Sequence, residues 1–239
     1  MKHYILMSLA LCGASPALAK GLTIDDMLAM QRVSNPAVSP DGKRVAFMVR
    51  DTDYENNRGR FDIWLTPVDG GSARRITTHA ENDTEPSWSP DGQWIYFLSA
   101  RNGPAQVFRI MPGGGEAEQV TRLPVEVNGY HLFPDGKRLA LSLEVWPDAT
   151  SLADSAKRDE AKAKSKLKAR VYDQLLLRHW DQWEDGRYAH LFVWDTARPD
   201  DAKDLTPGLT TDTPPHPHGG MDEIAISPDG KTVAFVART

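Results

Sequence analysis

Short apolar runs of four or five residues recur along the chain, and each one follows a similar polar turn. The runs lie at residues 45–49, 95–98, 139–143 and 233–236. They are rich in β-branched, aromatic or leucine side chains, and runs of this length bounded by turn residues are typical of β-strands. Apolar Phe61, Ile63 and Leu65 alternate against polar Asp62 and Thr66, which predicts a further strand.

The turn before each run is a four-residue phrase that ends in Pro-Asp-Gly. The phrases begin at Ser39, Ser89, Phe133 and Ser227, so successive copies are 50, 44 and 94 residues apart. Proline presets φ at the first central turn position, aspartate bonds to nearby backbone, and glycine accepts a positive φ. Units of about 40–50 residues with several short strands each predict a β-propeller, in which every unit is one blade.

The repeat therefore predicts an all-β fold, an incomplete β-propeller of about three and a half four-stranded blades with a helical insertion in the third blade. The blades are expected at 35–80, 81–122, 123–206 and 222–239, the last one incomplete, so that the propeller part is 35–239. The longest gap places the insertion at 146–188. Its first part, 153–167, is rich in Ala, Lys, Asp and Glu without Gly or Pro, which favours a solvated helix. A nucleic-acid or membrane contact of this helix is the alternative.

The first residues predict a cleavable export signal. Lys2 gives a positive start, residues 4–11 form an apolar stretch, and the small residues Ala17 and Ala19 on either side of Leu18 predict a cut after Ala19. A buried N-terminal helix and lipidation of Cys12 are the alternatives. Since Cys12 is the only cysteine, the processed chain forms no disulfide, and we expect a periplasmic or secreted protein. No stretch approaches the ~20 apolar residues of a spanning helix, so no membrane span is expected.

A helical lead-in is expected at 20–34, after the signal. Thr23 is expected to cap a short amphipathic helix, followed by two aspartates in the first turn, where the helix dipole favours anions. Leu22, Met27 and Met30 would then pack against the rest of the protein.

Charge and composition narrow the classes of partner. The 239-residue chain has a formal net charge of −5, which becomes −6 when Lys2 leaves with the signal. An acidic chain argues against nucleic acid as a partner. His216 and His218 lie in a proline-rich loop without a third ligand at a recognisable spacing, so we expect neither a metal nor a cofactor.

Taken together, the chain resembles the N-terminal β-propeller portion of a secreted prolyl oligopeptidase family serine peptidase, of the dipeptidyl-peptidase or acylaminoacyl-peptidase type. The resemblance is carried by Leu-Thr-Ile-Asp-Asp at 22–26, by the turn phrases, by Arg-His-Trp-Asp-Gln-Trp at 178–183 and by His-Leu-Phe-Val at 190–193. It covers essentially the whole processed chain. TolB-like periplasmic propellers share the turn phrases, so a TolB-like propeller acting as a protein-binding module is the alternative.

The resemblance implies a propeller of about seven or eight blades that covers a C-terminal α/β-hydrolase domain, with a Ser-Asp-His triad and its serine on a G-x-S-x-G elbow. This sequence contains no G-x-S-x-G, and Ser72 lies in a predicted hairpin turn. We therefore expect a fragment without catalytic residues, whose partners are the missing hydrolase domain and a short peptide substrate. Its expected role is to gate access to that domain in a periplasmic exopeptidase that releases dipeptides or acylated residues.

The second part of the insertion holds the candidate substrate contacts. Some dipeptidyl peptidases of the resembled family bind the α-ammonium of the substrate with propeller carboxylates, because a cation in a closed cavity needs a paired anion. By this resemblance the candidate substrate-binding residues are Trp180, Asp181, Trp183, Glu184 and Asp185, with the rings adding cation–π attraction. Packing of the insertion against the blade or the hydrolase domain is the alternative.

Overall fold

A computed structural model describes residues 21–167, 169, 171–172, 175, 178–179, 182–216 and 218–238. The export signal expected at 1–19 lies outside the described residues. The helices are α1 (Ile24–Ala29) and α2 (Leu152–Lys164), and a 3-10 turn covers Met221–Glu223. Neither of these described helices has the length and apolar content that crossing a bilayer requires.

The residues that the structure describes contain sixteen strands. They are β1 (Arg32–Val38), β2 (Arg44–Asp53), β3 (Arg58–Pro67), β4 (Arg74–Arg75), β5 (Asp83–Trp88), β6 (Ile95–Ser99), β7 (Gln106–Ile110), β8 (Glu118–Gln119), β9 (Gly129–Leu132), β10 (Arg138–Val145), β11 (Arg178–His179), β12 (Gln182–Trp183), β13 (Tyr188–Asp195), β14 (Arg198–Asp204), β15 (Ile224–Ile226) and β16 (Val233–Phe235).

The strands form three antiparallel four-stranded sheets and two hairpins. The sheets have the orders β1-β2-β3-β4, β5-β6-β7-β8 and β9-β10-β13-β14, and the hairpins are β11-β12 and β15-β16. Helix α2 and the β11-β12 hairpin interrupt the third sheet between β10 and β13, where Val145 pairs with Tyr188. The predicted all-β fold, an incomplete propeller with a helical insertion in its third blade, is confirmed.

The sheets stack face to face because successive side chains of a strand point to opposite faces. In β6, Ile95 and Phe97 belong to the apolar cluster shared with the first sheet, whereas Tyr96 and Leu98 belong to the cluster shared with the third. Every residue of β6 is buried in consequence. A third cluster, around Leu191, joins the third sheet to the β15-β16 hairpin. Full burial of each large apolar side chain contributes roughly 1.5–3 kcal/mol, so these clusters hold the stack together.

The turn phrases form a column along the stack. Gly92 has φ +68°, and a Cβ added to it would lie 3.6 Å from Pro40 Cδ of the preceding turn. Gly136 has φ +65° and lies against Pro90 at the same distance. Within a turn the aspartate acts as expected: Asp41 Oδ1 accepts a hydrogen bond of 3.1 Å from the Lys43 backbone N–H.

Helix α1 has the expected cap but not the expected packing. Thr23 and Asp26 form a reciprocal capping box. Leu22, Met27 and Met30 are 70%, 48% and 49% exposed, so the expectation that they pack against the protein is wrong. The six-residue helix lies beside β2 of the first sheet, at the outer end of the stack. The helix face that carries these three side chains is therefore exposed to solvent.

Candidate functional site

The N-terminal part of helix α2 is seated on the third sheet. Ser151 caps the helix, and the fully buried Ser155 accepts a hydrogen bond of 3.0 Å from the backbone N–H of Trp146. Leu152 and Ala156 pack against the cluster between the second and third sheets. The expectation of a solvated helix is therefore wrong for this face, because small side chains allow the helix to approach the sheet closely.

Arg187 lies at the centre of a charged cluster that joins β10 to α2. Its guanidinium is 3.0 Å from Glu144 Oε2, 3.1 Å from Asp185 Oδ2 and 3.5 Å from Asp159 Oδ2. Burial acts to lower the pKa of Arg187, but the charges of Asp185, Glu144 and Asp159 outweigh burial and raise this pKa. The guanidinium therefore remains charged and links the strand, the turn before β13 and the helix.

Asp185 is held by two cations. Its carboxylate lies 3.1 Å from the Lys162 ammonium as well as close to Arg187, and it accepts a hydrogen bond of 3.0 Å from the Arg187 backbone N–H. Burial acts to raise the pKa of Asp185, but the backbone hydrogen bond and the charges of Arg187 and Lys162 lower it below its ordinary value. Asp185 is thus ionised at neutral pH, and its charge is compensated within the chain.

Trp146 packs against the charged cluster. Its indole N–H donates a hydrogen bond of 2.8 Å to Asp159 Oδ1, and the Lys162 ammonium lies 5.2 Å from the ring centroid, within cation–π range. Gly186 has φ +92°, and a Cβ at this position would come within 2.9 Å of the Trp146 ring. A glycine is required here both by the backbone conformation and by the close approach of the ring.

A cleft of about 230 Å³ opens between α2 and the connection that enters the third sheet. Its lining residues are Pro104, Pro124, Val125, Glu126, Asn128, Glu144, Ala156, Asp159 and Arg187. The lining combines proline, valine and alanine side chains with three carboxylates and one guanidinium. A cleft with this lining suits a small ligand that has a cationic group and an apolar body.

Residues 28–159 match the family model of the TolB beta propeller domain. The chain belongs to the TolB β-propeller family. This TolB propeller is 31% identical over 219 residues to dipeptidyl-peptidase 5 of Porphyromonas endodontalis, and the match covers 91% of the chain and 31% of that relative. The chain thus spans about a third of the length of this curated relative. The predicted resemblance to the propeller portion of dipeptidyl-peptidase and acylaminoacyl-peptidase enzymes is confirmed.

Two solved structures show the same fold. TolB from Acinetobacter baumannii superposes with a TM-score of 0.52 and 21% identity, covering 86% of this chain and 37% of that one. The acylaminoacyl peptidase of Pyrococcus horikoshii gives a TM-score of 0.53 and 17% identity, covering 75% of this chain and 26% of that one. At these identities the likeness concerns the fold alone.

The predicted substrate-binding residues that the structure describes do not share the same neighbours. Trp183 is exposed on β12, stacks on Tyr172 with ring centroids 6.0 Å apart, and has the Arg178 guanidinium 5.2 Å from its ring. Asp185 belongs to the charged cluster around Arg187, and the intervening residue Glu184 is partly buried. Trp180 and Asp181 lie outside the described residues.

The sequence did not indicate Glu126, Glu144 and Asp159 as residues of the cleft. They lie in three different elements, and no local motif connects them. One weak signal exists in the helix, where Asp159 and Lys162 are three residues apart and therefore share a face. Among the residues that the structure describes, no group of three or more His, Cys, Asp or Glu side chains is arranged to hold a metal ion.

Proposed function

We propose that this TolB propeller is the non-catalytic part of a periplasmic serine exopeptidase that releases dipeptides or acylated residues from short peptides. The observation that carries the proposal is the alignment of 91% of the chain with a dipeptidyl peptidase about three times as long. In this proposal an α/β-hydrolase domain supplies the nucleophile and triad, and the propeller restricts access to it by size. The export signal is 1–19, the lead-in 20–34 and the propeller part 35–239.

The insertion is the part of the propeller proposed to meet the substrate. The charged cluster fixes α2 at one side of the cleft, so the carboxylates of Glu144 and Asp159 keep their positions when a peptide enters. The lining has three carboxylates, Glu126, Glu144 and Asp159, and one guanidinium, so an α-ammonium group would find an excess of negative charge there. The proline and valine side chains of the lining would contact the first side chain of the peptide. Asp185 supports this arrangement indirectly, since Lys162 and Arg187 already compensate its charge.

Trp180, Asp181, Trp183 and Glu184 are proposed as further contacts of the peptide. The exposed Trp183 ring, flanked by Arg178 and Tyr172, offers an aromatic surface beside the charged cluster. Aromatic faces attract cations and pack on apolar side chains, so this surface suits the chain of a short peptide.

An activity measurement tests the proposal. The protein expressed from its complete reading frame and the 239-residue chain are assayed with chromogenic dipeptide substrates, with and without a serine-directed inhibitor. We expect inhibitor-sensitive hydrolysis by the complete protein and none by the 239-residue chain. An inactive complete protein would overturn the peptidase assignment, and hydrolysis by the chain alone would overturn its non-catalytic role.

A protein-binding module is the second candidate. It is favoured by the match of residues 28–159 to the TolB propeller family, whose fold the Acinetobacter baumannii structure shares over 86% of this chain. A complete protein that shows no hydrolysis but captures one stable periplasmic partner in a pull-down would support this candidate over the peptidase.

A further inference from the structure

Each of the three four-stranded sheets buries one polar side chain at the same place on its third strand. The residues are Asp62, Gln106 and His190. In each case the next residue along the strand donates its backbone N–H to a threonine hydroxyl near the fourth strand. The acceptors are Thr77, Thr121 and Thr206, at 2.9, 3.0 and 3.2 Å. The buried side chains therefore occupy equivalent positions, next to the connection that leaves each sheet.

In the first two sheets this position carries an ion-paired aspartate and an uncharged glutamine. Asp62 forms an ion pair with Arg75 and accepts a hydrogen bond from Thr77. The Gln106 amide donates to Val125 O at 2.9 Å and accepts from the Leu123 backbone N–H at 3.0 Å. Each side chain ties down the segment that follows the third strand. The Gln106 amide does not titrate, whereas burial outweighs the ion pair with Arg75 and raises the pKa of Asp62.

His190 performs the same task in the third sheet with both ring nitrogens. The side chain is 1% exposed, Nδ1 lies 2.8 Å from Asp204 Oδ2, and Nε2 lies 2.8 Å from Leu209 O. A carbonyl oxygen can only accept a hydrogen bond. An ionised Asp204 carboxylate likewise only accepts, and its other oxygen receives the Thr206 backbone N–H at 2.8 Å. A neutral imidazole has one N–H, so only the doubly protonated ring donates to both partners.

The charges that face the ring favour the same state. Asp204 lies at the end of β14, and Asp212 lies in the connection that follows, where its Oδ1 accepts the Ala189 backbone N–H at 2.8 Å. Burial acts to lower the pKa of His190, but the hydrogen bonds to Asp204 and Leu209 and the charges of Asp204 and Asp212 raise it.

We propose that His190 is a buried imidazolium that locks the 205–213 connection onto the third sheet, and that this connection loosens when the ring loses its proton. The connection pairs with β13 through Leu205 N–H to Leu191 O at 2.8 Å and through Thr213 N–H to Ala189 O at 2.6 Å. It leads to the β15-β16 hairpin, so the lock controls how firmly the last hairpin is held.

The direction of the pH dependence follows from the protonated state of the ring. A histidine whose pKa is raised by folding stabilises the protein fully below its unfolded pKa of about 6.5. The stabilisation is lost as pH rises through the pKa of the folded state. The lock is therefore closed below the ordinary histidine pKa and opens as pH rises through the raised pKa of the folded ring.

Imidazole NMR of the intact chain tests the protonation state directly. With ¹⁵N-labelled histidine we expect both His190 ring nitrogens to be protonated at about pH 7, above the ordinary histidine pKa. Hydrogen-exchange protection of the Thr213 amide should fall in step with loss of the ring proton. A single neutral tautomer at this pH, or Thr213 protection that is indifferent to the titration, would overturn the proposal.

Two histidine variants distinguish the pH-dependent effect of His190 from a general loss of stability. His190→Gln copies the chemistry of Gln106, keeping an amide donor for Leu209 O but removing the titration. We expect the fall in Tm between about pH 6 and pH 9 to be smaller in His190→Gln than in the unchanged chain. His79→Gln, at an exposed histidine, is the control and should leave this fall unchanged. An equal fall in His190→Gln and the unchanged chain contradicts the lock.

Discussion

Replacement of Arg187 by methionine tests whether the charged cluster holds the insertion on the third sheet. Methionine keeps most of the volume and the flexible stem of arginine but removes the guanidinium. Glu144, Asp159 and Asp185 then lose the cation that they share. Like-charged carboxylates at close range repel one another, so the expected result is a weakened contact between α2, β10 and the turn before β13.

The exposure of Arg187 sets the magnitude. Its side chain is 30% exposed, so its ion pairs are neither fully exposed nor fully buried. Exposed ion pairs contribute about 0–1 kcal/mol to stability, whereas breaking a fully buried pair costs about 3–5 kcal/mol. Solvent screening reduces the effect of each contact, but three carboxylates share the one guanidinium. We therefore expect Arg187→Met to lower the free energy of unfolding by about 1–3 kcal/mol at neutral pH.

Urea unfolding measures the loss of stability, and limited proteolysis measures the weakened contact between the insertion and the third sheet. The matched control is Arg198→Met, because Arg198 is 67% exposed and 3.5 Å from a single carboxylate, Asp201. The control should change the free energy of unfolding by less than about 0.5 kcal/mol. Arg187→Met should also be cleaved faster within the insertion. If both variants unfold at the same urea concentration and are cleaved at the same rate, the role assigned to the cluster is wrong.

Three further perturbations probe the stack, the turns and the cluster. Leu141→Ala removes a fully buried side chain between the second and third sheets and should cost about 2–5 kcal/mol in urea unfolding; a loss below about 1 kcal/mol would contradict the packing. Gly42 has φ +70° and open space around it, so Gly42→Ala should cost about 1 kcal/mol from backbone strain alone, and an unchanged Tm would argue against that conformation. Folding lowers the pKa of Asp185, so its stabilisation is present above the unfolded pKa of about 3.9 and is lost as pH falls through the folded value. Asp185→Asn should therefore be less stable than the unchanged chain at pH 7 but not in strong acid, and a constant difference across this range would refute the assignment.

The stacked sheets could be predicted because their determinants are local. A Pro-Asp-Gly turn fixes its own backbone, and alternation along a strand assigns side chains to faces. The spacing of the turns then located the insertion without any tertiary information. Even the exceptional third phrase works locally: where Phe133 replaces serine, Asp135 pairs with Arg138 at 2.6 Å, and the Arg138 guanidinium lies 4.4 Å from the Phe133 ring.

The seating of α2 could not be predicted because its determinants are distant in the sequence. Glu144 and Arg187 meet across the whole insertion, at a distance that no periodicity encodes. The composition of the helix indicates solvation, and only the small side chains of Ser155 and Ala156 show where it approaches the sheet. For the same reason the sequence grouped Trp183 with Asp185, whereas the fold gives them different partners.

Labelling with a fluorophosphonate probe locates the serine nucleophile of the proposed peptidase. The protein expressed from its complete reading frame is labelled, digested and mapped by mass spectrometry, and hydrolysis of a chromogenic dipeptide substrate is followed in parallel. We expect that one serine outside residues 1–239 is labelled, that hydrolysis stops when it reacts, and that residues 20–239 alone take up no label. A labelled serine within residues 20–239 would refute the non-catalytic role of the propeller, and hydrolysis that survives complete labelling would refute the serine peptidase.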